Sequence, residues 1–375
     1  MRVAGVGTRG VPSSYSGLET SCEGLYAALA ERGHRMTVYC RAGHVETAAA
    51  SYRGIELRRV PAVRLRSLET LSHVAASLVD AAARRRFDLI HLHAEAPGIF
   101  SPLLRRAGVP VVATIQGLDW QRAKWSGRGA RIIRRAEDAL VRHADEIIVV
   151  SRALQEYFQR EHGRATTWIP NGVERKPRVA DAGARLAQWG LGEGEYVVYV
   201  GRLVPEKRVE DLIRAFRSID TPLRLAIVGE GGYSEDYVAG LHSRAGGDPR
   251  ILFTGRQTGA TLDALVQSAA AYVLPSEMEG LPMSLLECME HGTPAVVSDI
   301  PPNRELLGGI EGYDLFFPPR DVRALAGRLR RVLQDPAYRE VAARARAHVR
   351  DAYGWPAQAE ATEAVFRRAL GGRRG

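Results

Sequence analysis

The second half of the chain contains the stretch that decides the fold, residues 196–207, which read YVVYVGRLVPEK. Five consecutive apolar residues, three of them valine, are typical of a strand buried on both faces of a parallel sheet. Gly201 ends this run. Arg202 follows in the turn, and Lys207 stands where the next helical pattern opens. The stretch therefore predicts a strand, a turn that carries two cations at the strand's carboxyl end, and a helix.

The same alternation extends in both directions along the chain. Short apolar runs occur at residues 3–6, 36–39, 89–92, 109–114, 147–150, 223–228, 251–253, 272–274 and 295–297. Helical patterns occur at residues 19–32, 67–85, 131–143, 207–218, 234–245, 259–269, 282–291 and 321–334. Alternating strands and helices predict parallel sheets with crossover helices. The expected fold class is therefore α/β, with two Rossmann-like, doubly wound domains facing across a cleft.

Turn-forming residues separate the two series. Residues 170–195 are rich in Pro, Asn and Gly and are typical of a linker. We expect an N-terminal domain at residues 1–178 and a C-terminal domain at 190–354. The helical pattern at 356–375 is expected to pack back on the first domain.

The composition is that of a folded globular protein, with 45% hydrophobic and 25% charged residues in 375. No apolar run reaches the ~18 residues of a membrane helix, and the N-terminus resembles a strand rather than a signal peptide. A cytoplasmic location is therefore expected. Three widely spaced cysteines argue against a disulfide framework or a zinc site. No aromatic–basic recognition motif stands out, so no nucleic-acid partner is expected.

Positive charge is concentrated in the first half, where residues 1–180 hold 28 Lys and Arg against 17 Asp and Glu. This excess favours an anionic partner, such as a phosphorylated lipid or an anionic membrane surface. In the second case the protein would bind peripherally to the inner face of the membrane. An arginine-rich composition throughout the chain is the alternative. After Trp120 and Trp125 in the sequence, arginines recur at roughly helical spacing, at Arg128, Arg131, Arg134, Arg135 and Arg142. They indicate either a membrane-facing helix or a solvated basic one.

The first apolar run leads into residues 5–10, GVGTRG, which match the G-x-G-x-x-G pattern of dinucleotide sites. Such a site needs its helix to open within the glycines, whereas here the helix is expected to begin near Gly17. Arg41, after the second strand, could hold a 2′-phosphate, so an NADP oxidoreductase is one alternative. A plain strand-to-helix turn is another. The favoured interpretation is a long glycine loop with backbone donors for an anion at Gly17.

A second constellation lies at residues 275–287, PSEMEGLPMSLLE. Pro282 suits the first turn of a helix, which places Glu279 ahead of the helix and Glu287 more than one turn inside it. Backbone N–H groups near Gly280 and Leu281 predict an anion site at the helix N-terminus. The two carboxylates can accept hydrogen bonds from sugar and ribose hydroxyls. Taken alone, they could equally be solvated charges at a helix end.

The cations of residues 196–207 decide between these alternatives. Arg202 and Lys207 follow a strand of the same predicted sheet and suit a diphosphate, since guanidinium offers forked donors and ammonium a compact charge. A pair of carboxylates could also indicate a glycosidase. With two cations at the neighbouring strand end, a phosphate-bearing donor is the better interpretation.

The chain resembles the retaining glycosyltransferases of family 4, which have the GT-B fold. The resemblance rests on Gly201-Arg202, on residues 205–207 and on the spacing of Glu279 and Glu287. It covers nearly the whole chain and includes residues 169–173, 275–276 and 292–294. Residues 7–20 and 117–125 resemble a bacterial subgroup labelled rhamnosyltransferase-like and linked to surface polysaccharide assembly.

The resemblance implies a hexosyltransferase that retains anomeric configuration without a metal or other cofactor. The donor would be a nucleotide diphosphate sugar and the acceptor a hydroxyl of a glycan or a lipid-linked glycan. Arg202 and Lys207 would bind the diphosphate in a metal's role, and Glu287 would hold the ribose. The remaining donor contacts implied are Glu279, Gly280 and Leu281 on the transferred sugar and Gly17 on the phosphates.

Gln116 departs from the family pattern, in which a histidine that contacts the donor sugar usually precedes Gly117. Glutamine can hydrogen-bond a hydroxyl but cannot carry a proton. We expect a change of donor specificity, and the alternative is a nucleotide-sugar-binding protein that has lost transfer activity. His93 and Asp119 are expected on the acceptor side. His91 and His93 share one strand face, so a metal pair is conceivable, although no third ligand is evident.

Overall fold

The computed structural model describes residues 1–13, 16–45, 47–63, 69–84, 87–122, 127–231 and 235–372. The chain folds into two compact units. Unit 1 comprises Met1–Gly172 and Tyr353–Gly375, and unit 2 comprises Val173–Ala352. Within the described ranges, no helix is both long and apolar enough to cross a bilayer.

Unit 1 is built on an eight-stranded sheet. Its strands are β1 (Arg2–Val6), β2 (Arg35–Arg41), β3 (Ser51–Tyr52), β4 (Ile55–Val60), β5 (Leu89–His93), β6 (Val111–Ile115), β7 (Glu146–Val149) and β8 (Thr167–Trp168). The helices before residue 173 are α1 (Gly17–Glu31), α2 (Glu69–Arg84), α3 (Ser101–Arg106), α4 (Arg128–His143) and α5 (Arg152–His162). Short 3₁₀ helices lie at Ala96–Phe100 and Asp119–Gln121.

The order of the unit 1 sheet is β3-β4-β2-β1-β5-β6-β7-β8. The hairpin pair β3–β4 is antiparallel, and the other neighbouring pairs are parallel. The order reverses between β1 and β5, which is where ligands of such sheets bind. Gly7, just after β1, has a φ of 112°, and a Cβ there would lie 2.4 Å from the carbonyl oxygen of His93. The glycine loop therefore allows the ends of β1 and β5 to approach closely.

Unit 2 has a six-stranded parallel sheet. Its strands are β9 (Tyr196–Val200), β10 (Arg224–Val228), β11 (Ile251–Gly255), β12 (Ala271–Leu274), β13 (Ala295–Ser298) and β14 (Phe316–Phe317). Its helices are α6 (Ala182–Leu186), α7 (Val209–Arg217), α8 (Glu235–Ala245), α9 (Gly259–Gln267), α10 (Met283–His291), α11 (Pro301–Leu307), α12 (Val322–Gln334) and α13 (Tyr338–Ala352). The sheet order β11-β10-β9-β12-β13-β14 reverses between β9 and β12.

The final helix, α14 (Trp355–Gly371), belongs to unit 1 and packs against α1. Two glycines make room for its first side chain. A Cβ would lie 2.2 Å from the Trp355 ring at Gly24 and 2.5 Å from it at Gly172. Arg32, the C-cap residue of α1, also donates to Glu363 on α14 at 2.8 Å. Helix α14 is thereby fixed to unit 1 by both packing and charge.

The structure narrows the linker predicted at residues 170–195, because the chain passes from unit 1 to unit 2 between Gly172 and Val173. From Val173 onward this stretch is part of unit 2 and contains α6. Leu186 is buried, and the Val179 amide N–H donates to Gln267 on α9 at 2.9 Å. The turn-forming residues shape an ordered segment because its backbone groups and apolar side chains find partners on α9.

Candidate active site

The candidate site of unit 2 lies at the carboxyl ends of β9 and β12, where the strand order reverses. Gly201 directly follows β9, and its amide N–H donates to the Val228 carbonyl at 3.0 Å. Gly229, with a φ of 145°, approaches so closely that a Cβ there would lie 1.8 Å from the Gly201 carbonyl oxygen. The Leu203 amide N–H then donates to the Glu230 carbonyl at 2.9 Å. The cation-bearing loop is therefore held by the neighbouring strand end.

Lys207 and Glu279 form an ion pair between the loop after β9 and the loop before α10. Their side chains are only 14% and 9% exposed. The two loops are also joined through the backbone, since the Glu277 amide N–H donates to the Glu206 carbonyl at 3.0 Å. The structure thus brings together two predicted site residues that come from different motifs.

Arg202 is half-buried on the same loop. Its carbonyl accepts a hydrogen bond from the Tyr199 hydroxyl at 2.9 Å. Burial raises the pKa of Tyr199, the charges of Tyr272 and Glu279 raise it further, and Arg202 opposes them. The charges of Arg202 and Glu279 therefore both act on one buried hydroxyl, which places them in a common neighbourhood.

Helix α10 begins at Met283, one residue later than predicted, because Pro282 has an extended backbone and occupies the N-cap position. Gly280 and Leu281 lie buried just ahead of it. Glu287 is more than one turn inside the helix, as the spacing predicts. Burial raises the pKa of Glu287, which disfavours its charge.

Lys176 is a neighbour of Glu287 that the sequence analysis missed. Its Nζ lies 4.0 Å from Glu287 Oε1 and 2.6 Å from Asp263 Oδ1, and Asp263 also pairs with His291 Nε2 at 3.1 Å. Burial opposes the charge of Lys176, but Glu287 and Asp263 outweigh it and raise its pKa. Lys176 lies in the stretch whose sequence predicts a linker, and it belongs to none of the motifs.

In unit 1, α1 begins at Gly17 as predicted, and Gly17 is exposed. Glu19 organises the glycine loop from within the helix. Its carboxylate accepts from the Arg9 amide at 3.1 Å and from the Ser16 hydroxyl. Arg41, the residue on which the NADP alternative depends, is buried and bonded to Thr70 at 3.0 Å and Glu69 at 3.4 Å. This engagement disfavours the NADP alternative.

Gln116 follows β6 and is bonded at both ends of its amide. Its Nε2 donates to Asn171 Oδ1 at 2.9 Å and to Ser21 Oγ at 3.1 Å, and its Oε1 accepts from Asn171 Nδ2 at 3.0 Å. Ser21 Oγ donates to Asn171 Oδ1 at 2.7 Å, which closes the network. The sequence alone does not predict these hydrogen bonds, because Asn171 lies 55 residues from Gln116 along the chain.

His93 is buried at the end of β5. Its Nε2 lies 2.8 Å from the Tyr26 hydroxyl, which also lies 2.9 Å from His91 Nδ1, and His91 Nε2 lies 2.7 Å from Thr114 Oγ1. Burial lowers the pKa of His93 to about 4 and lowers that of His91 as well. This packing favours a structural role for His93 over the predicted acceptor contact. Among the described residues, no three His, Cys, Asp or Glu side chains cluster as metal ligands would.

Asp119 is half-buried in the 3₁₀ turn after β6. Its amide N–H donates to Glu95 Oε2 at 2.7 Å, and its carboxylate pairs with Arg122 at 3.0 Å. Glu95 is fully buried, and burial together with neighbouring Glu137 raises its pKa. Glu137 in turn accepts from Trp120 at 3.1 Å and from Tyr157 at 2.8 Å. Two buried carboxyls thus anchor the turn that carries Asp119.

Two protein-family models match the chain in series. The model described as Glycosyltransferase Family 4 matches residues 15–176, and the one described as Glycosyl transferases group 1 matches residues 186–349. Among curated relatives, a glycogen synthase of Mycobacterium tuberculosis is 33% identical over 308 residues, covering 77% of this chain and 70% of that protein.

Solved structures show the same architecture. Sucrose-phosphate synthase from Thermosynechococcus elongatus superposes with a TM-score of 0.83 at 25% identity, over 99% of each chain. Anabaena HepE in complex with UDP-glucose superposes with a TM-score of 0.80 at 21% identity, over 97% of this chain and 100% of that one. The two doubly wound α/β sheets, parallel except for the pair β3–β4, are those of the GT-B fold. The chain belongs to the family-4-like glycosyltransferases of the GT-B fold.

Proposed function

We propose that this glycosyltransferase moves a hexosyl group from a nucleotide diphosphate sugar to a hydroxyl of a glycan or lipid-linked acceptor, with retention and without a metal. The observation that carries the proposal is the Lys207–Glu279 ion pair at the reversal point of the unit 2 sheet. The pair places a cation that can bind phosphate and a carboxylate that can bind sugar hydroxyls at the same edge of the unit 2 sheet.

The chemistry requires stabilisation of negative charge on the leaving group. The bond from the anomeric carbon to the diphosphate breaks, a bond to the acceptor oxygen forms on the same face, and the acceptor proton passes to the departing phosphate. Arg202, Lys207 and the backbone N–H groups ahead of α10 are the groups proposed to stabilise this charge. Cations held in place before the reaction are most effective where charge develops.

The nucleoside is proposed to bind through Glu287. A carboxylate there can accept hydrogen bonds from both ribose hydroxyls, provided that it is ionised. Lys176 supports the ionised form from 4.0 Å. HepE, which shares the fold, was crystallised with UDP-glucose. That donor class fits the proposal, and Gly17 and Gln116 of unit 1 stay predictions as further donor contacts.

The acceptor is proposed to belong to bacterial surface polysaccharide or glycolipid assembly, at the cytoplasmic face of the membrane. Support comes from the resemblance of residues 7–20 and 117–125 to the rhamnosyltransferase-like subgroup and from the positive charge of residues 1–180. Asp119 is the proposed acceptor contact.

A second candidate function is nucleotide-sugar binding without transfer. The observation that favours it is the closed hydrogen-bond network of Gln116, Asn171 and Ser21. Gln116 stands where the family usually has histidine, and both ends of its amide are already hydrogen-bonded within this network. If Gln116 cannot leave this network, it cannot contact a donor sugar.

Two measurements separate these functions. Thermal unfolding with UDP, GDP, dTDP and NADP identifies the nucleotide, and stabilisation by NADP alone would refute the proposal. Slow hydrolysis in a panel of nucleotide sugars then identifies the donor and its anomeric product. Donor binding without hydrolysis or transfer, followed by activity in Gln116→His, would favour the second candidate.

A further inference from the structure

Helix α4 presents a stripe of arginines on its outer face. Its inner face is fixed by Ile133, Ala136 and Leu140, which are buried at helical spacing. The opposite side of the helix carries exposed side chains at intervals of three, four and seven residues, at Arg128, Arg131, Arg135 and Arg142. Within the part of the chain that the structure describes, these four arginines make no ion pair. They therefore form a ridge of net positive charge.

Apolar side chains flank this ridge. Five large apolar side chains are strongly exposed among the described residues, and three of them, Ile99, Leu103 and Ile132, belong to elements that pack together. They are 39%, 62% and 43% exposed. Such side chains are costly to expose to water unless they meet an apolar phase.

Ile99 and Ile132 belong to two elements that pack together, the 3₁₀ helix Ala96–Phe100 and α4. Gly98 lies against α4 so closely that a Cβ there would be 2.2 Å from Leu140 Cγ and 2.6 Å from the Ala136 carbonyl. Ile132 lies one helical turn before Ala136, on that flank of α4. Leu103 is carried by α3, which contacts both α4 and the 3₁₀ helix Ala96–Phe100. Exposed Arg105 and Arg106 end α3 and add charge next to Leu103.

We propose that this surface docks on a bilayer rich in anionic lipid. The α3–α4 patch is defined by Ile99, Leu103, Arg128, Arg131, Ile132 and Arg135. Its arginines match anionic headgroups, and its isoleucines and leucine enter the boundary between headgroups and acyl chains. The acidic side chains on α4 do not cancel this charge, since Glu137 is buried and Asp138 is the single other one.

The apolar residues decide between a membrane and a nucleic acid. A phosphate backbone attracts arginines, but single strands are bound with aromatic stacking and duplexes through polar contacts. The patch instead offers aliphatic side chains, which suit lipid. Trp125, which the sequence analysis grouped with these arginines, lies outside the described residues.

Flotation with vesicles tests the proposal. We expect the protein to bind vesicles of equal parts phosphatidylglycerol and phosphatidylcholine, and not vesicles of phosphatidylcholine alone. Each basic residue contributes a factor of about five to such binding, so R128A/R131A/R135A is expected to weaken it about 100-fold. The matched control is R323A/R330A/R339A, which removes three exposed arginines from unit 2. Circular dichroism and nucleotide-induced thermal stabilisation check that both variants fold.

A second variant tests the apolar side chains of the α3–α4 patch. L103S/I132S is expected to bind at low salt and to detach as salt rises, because the residual attraction is electrostatic and screened. Equal vesicle binding by R128A/R131A/R135A and the wild type would overturn the proposal. So would binding of single-stranded RNA that depends on the same arginines, without vesicle binding. Vesicle binding needs no sugar donor, so these results stand apart from those for transfer activity.

Discussion

Lys207 and Glu279 are 72 residues apart in the sequence and form an ion pair at the carboxyl edge of the unit 2 sheet. Neither side chain is more than 14% exposed. Removing one partner leaves the other charge poorly solvated, which is strongly destabilising for a buried pair. A bound diphosphate can supply part of the negative charge that Glu279 supplies to Lys207. The ion pair therefore positions the Lys207 ammonium group before the donor binds.

Lys207→Ala is expected to lower kcat/KM for the nucleotide sugar by about 100-fold or more, as when one stabilising donor is removed from a transition state. It is also expected to abolish stabilisation by the nucleoside diphosphate in thermal unfolding. Arg214→Ala is the matched control, because Arg214 is 63% exposed on the helix that follows the same loop. Turnover by Lys207→Ala at the wild-type rate would show that the site lies elsewhere.

Lys176→Met is expected to raise the donor KM with little change in kcat. Burial raises the pKa of Glu287 and Lys176 restrains that rise, so the substitution raises the pKa further. The carboxylate is then ionised only at higher pH, and the acid limb of kcat/KM moves to higher pH. Arg178→Met, 68% exposed on the same segment, is the control. An unchanged acid limb would mean that Lys176 does not support Glu287.

The strands that position the site are predictable because they are buried on both faces. β9 and β12 are continuous apolar runs, which periodicity reveals directly. β4 was missed because it exposes Glu56 and carries Arg58 and Arg59, so its pattern is not continuous. The two-residue strands β3, β8 and β14 are too short for any pattern.

The candidate site is less predictable than the strands. The motifs indicate that Lys207 and Glu279 lie at strand ends, but the sheet order that makes β9 and β12 neighbours is not encoded in the alternation. Two partners have no local signal. Lys176 reaches Glu287 and Asn171 reaches Gln116 only through tertiary structure.

Gln116→Ala is expected to lower the free energy of unfolding by about 1–3 kcal/mol, because it leaves the buried Asn171 amide without its reciprocal partner. In a double-mutant cycle with Asn171→Ala, we expect a coupling of about 0.5–3 kcal/mol. Urea denaturation of unit 1 signals measures both, with Gln159→Ala, an exposed glutamine of α5, as control. Additive effects of the two alanines would contradict the network.

Glu95→Gln is expected to stabilise the protein increasingly as pH rises. Burial raises the pKa of Glu95 in the folded state, so folding retains a proton that the unfolded chain releases above its usual pKa. Stability from this group is therefore lost as pH rises from about 4.5 through the folded pKa. Glutamine is neutral at every pH and keeps an oxygen for the Asp119 amide.

Thermal unfolding from about pH 5 to about pH 8 measures this difference, at about 2–4 °C per kcal/mol for a unit of this size. Buried His91 and His93 lower stability as pH falls below 6.5, but they do so equally in both proteins and cancel. Glu161→Gln, 47% exposed on α5, is the control and should show no such trend. A difference between Glu95→Gln and wild type that does not grow with pH would mean that the pKa of Glu95 is not raised in the folded protein.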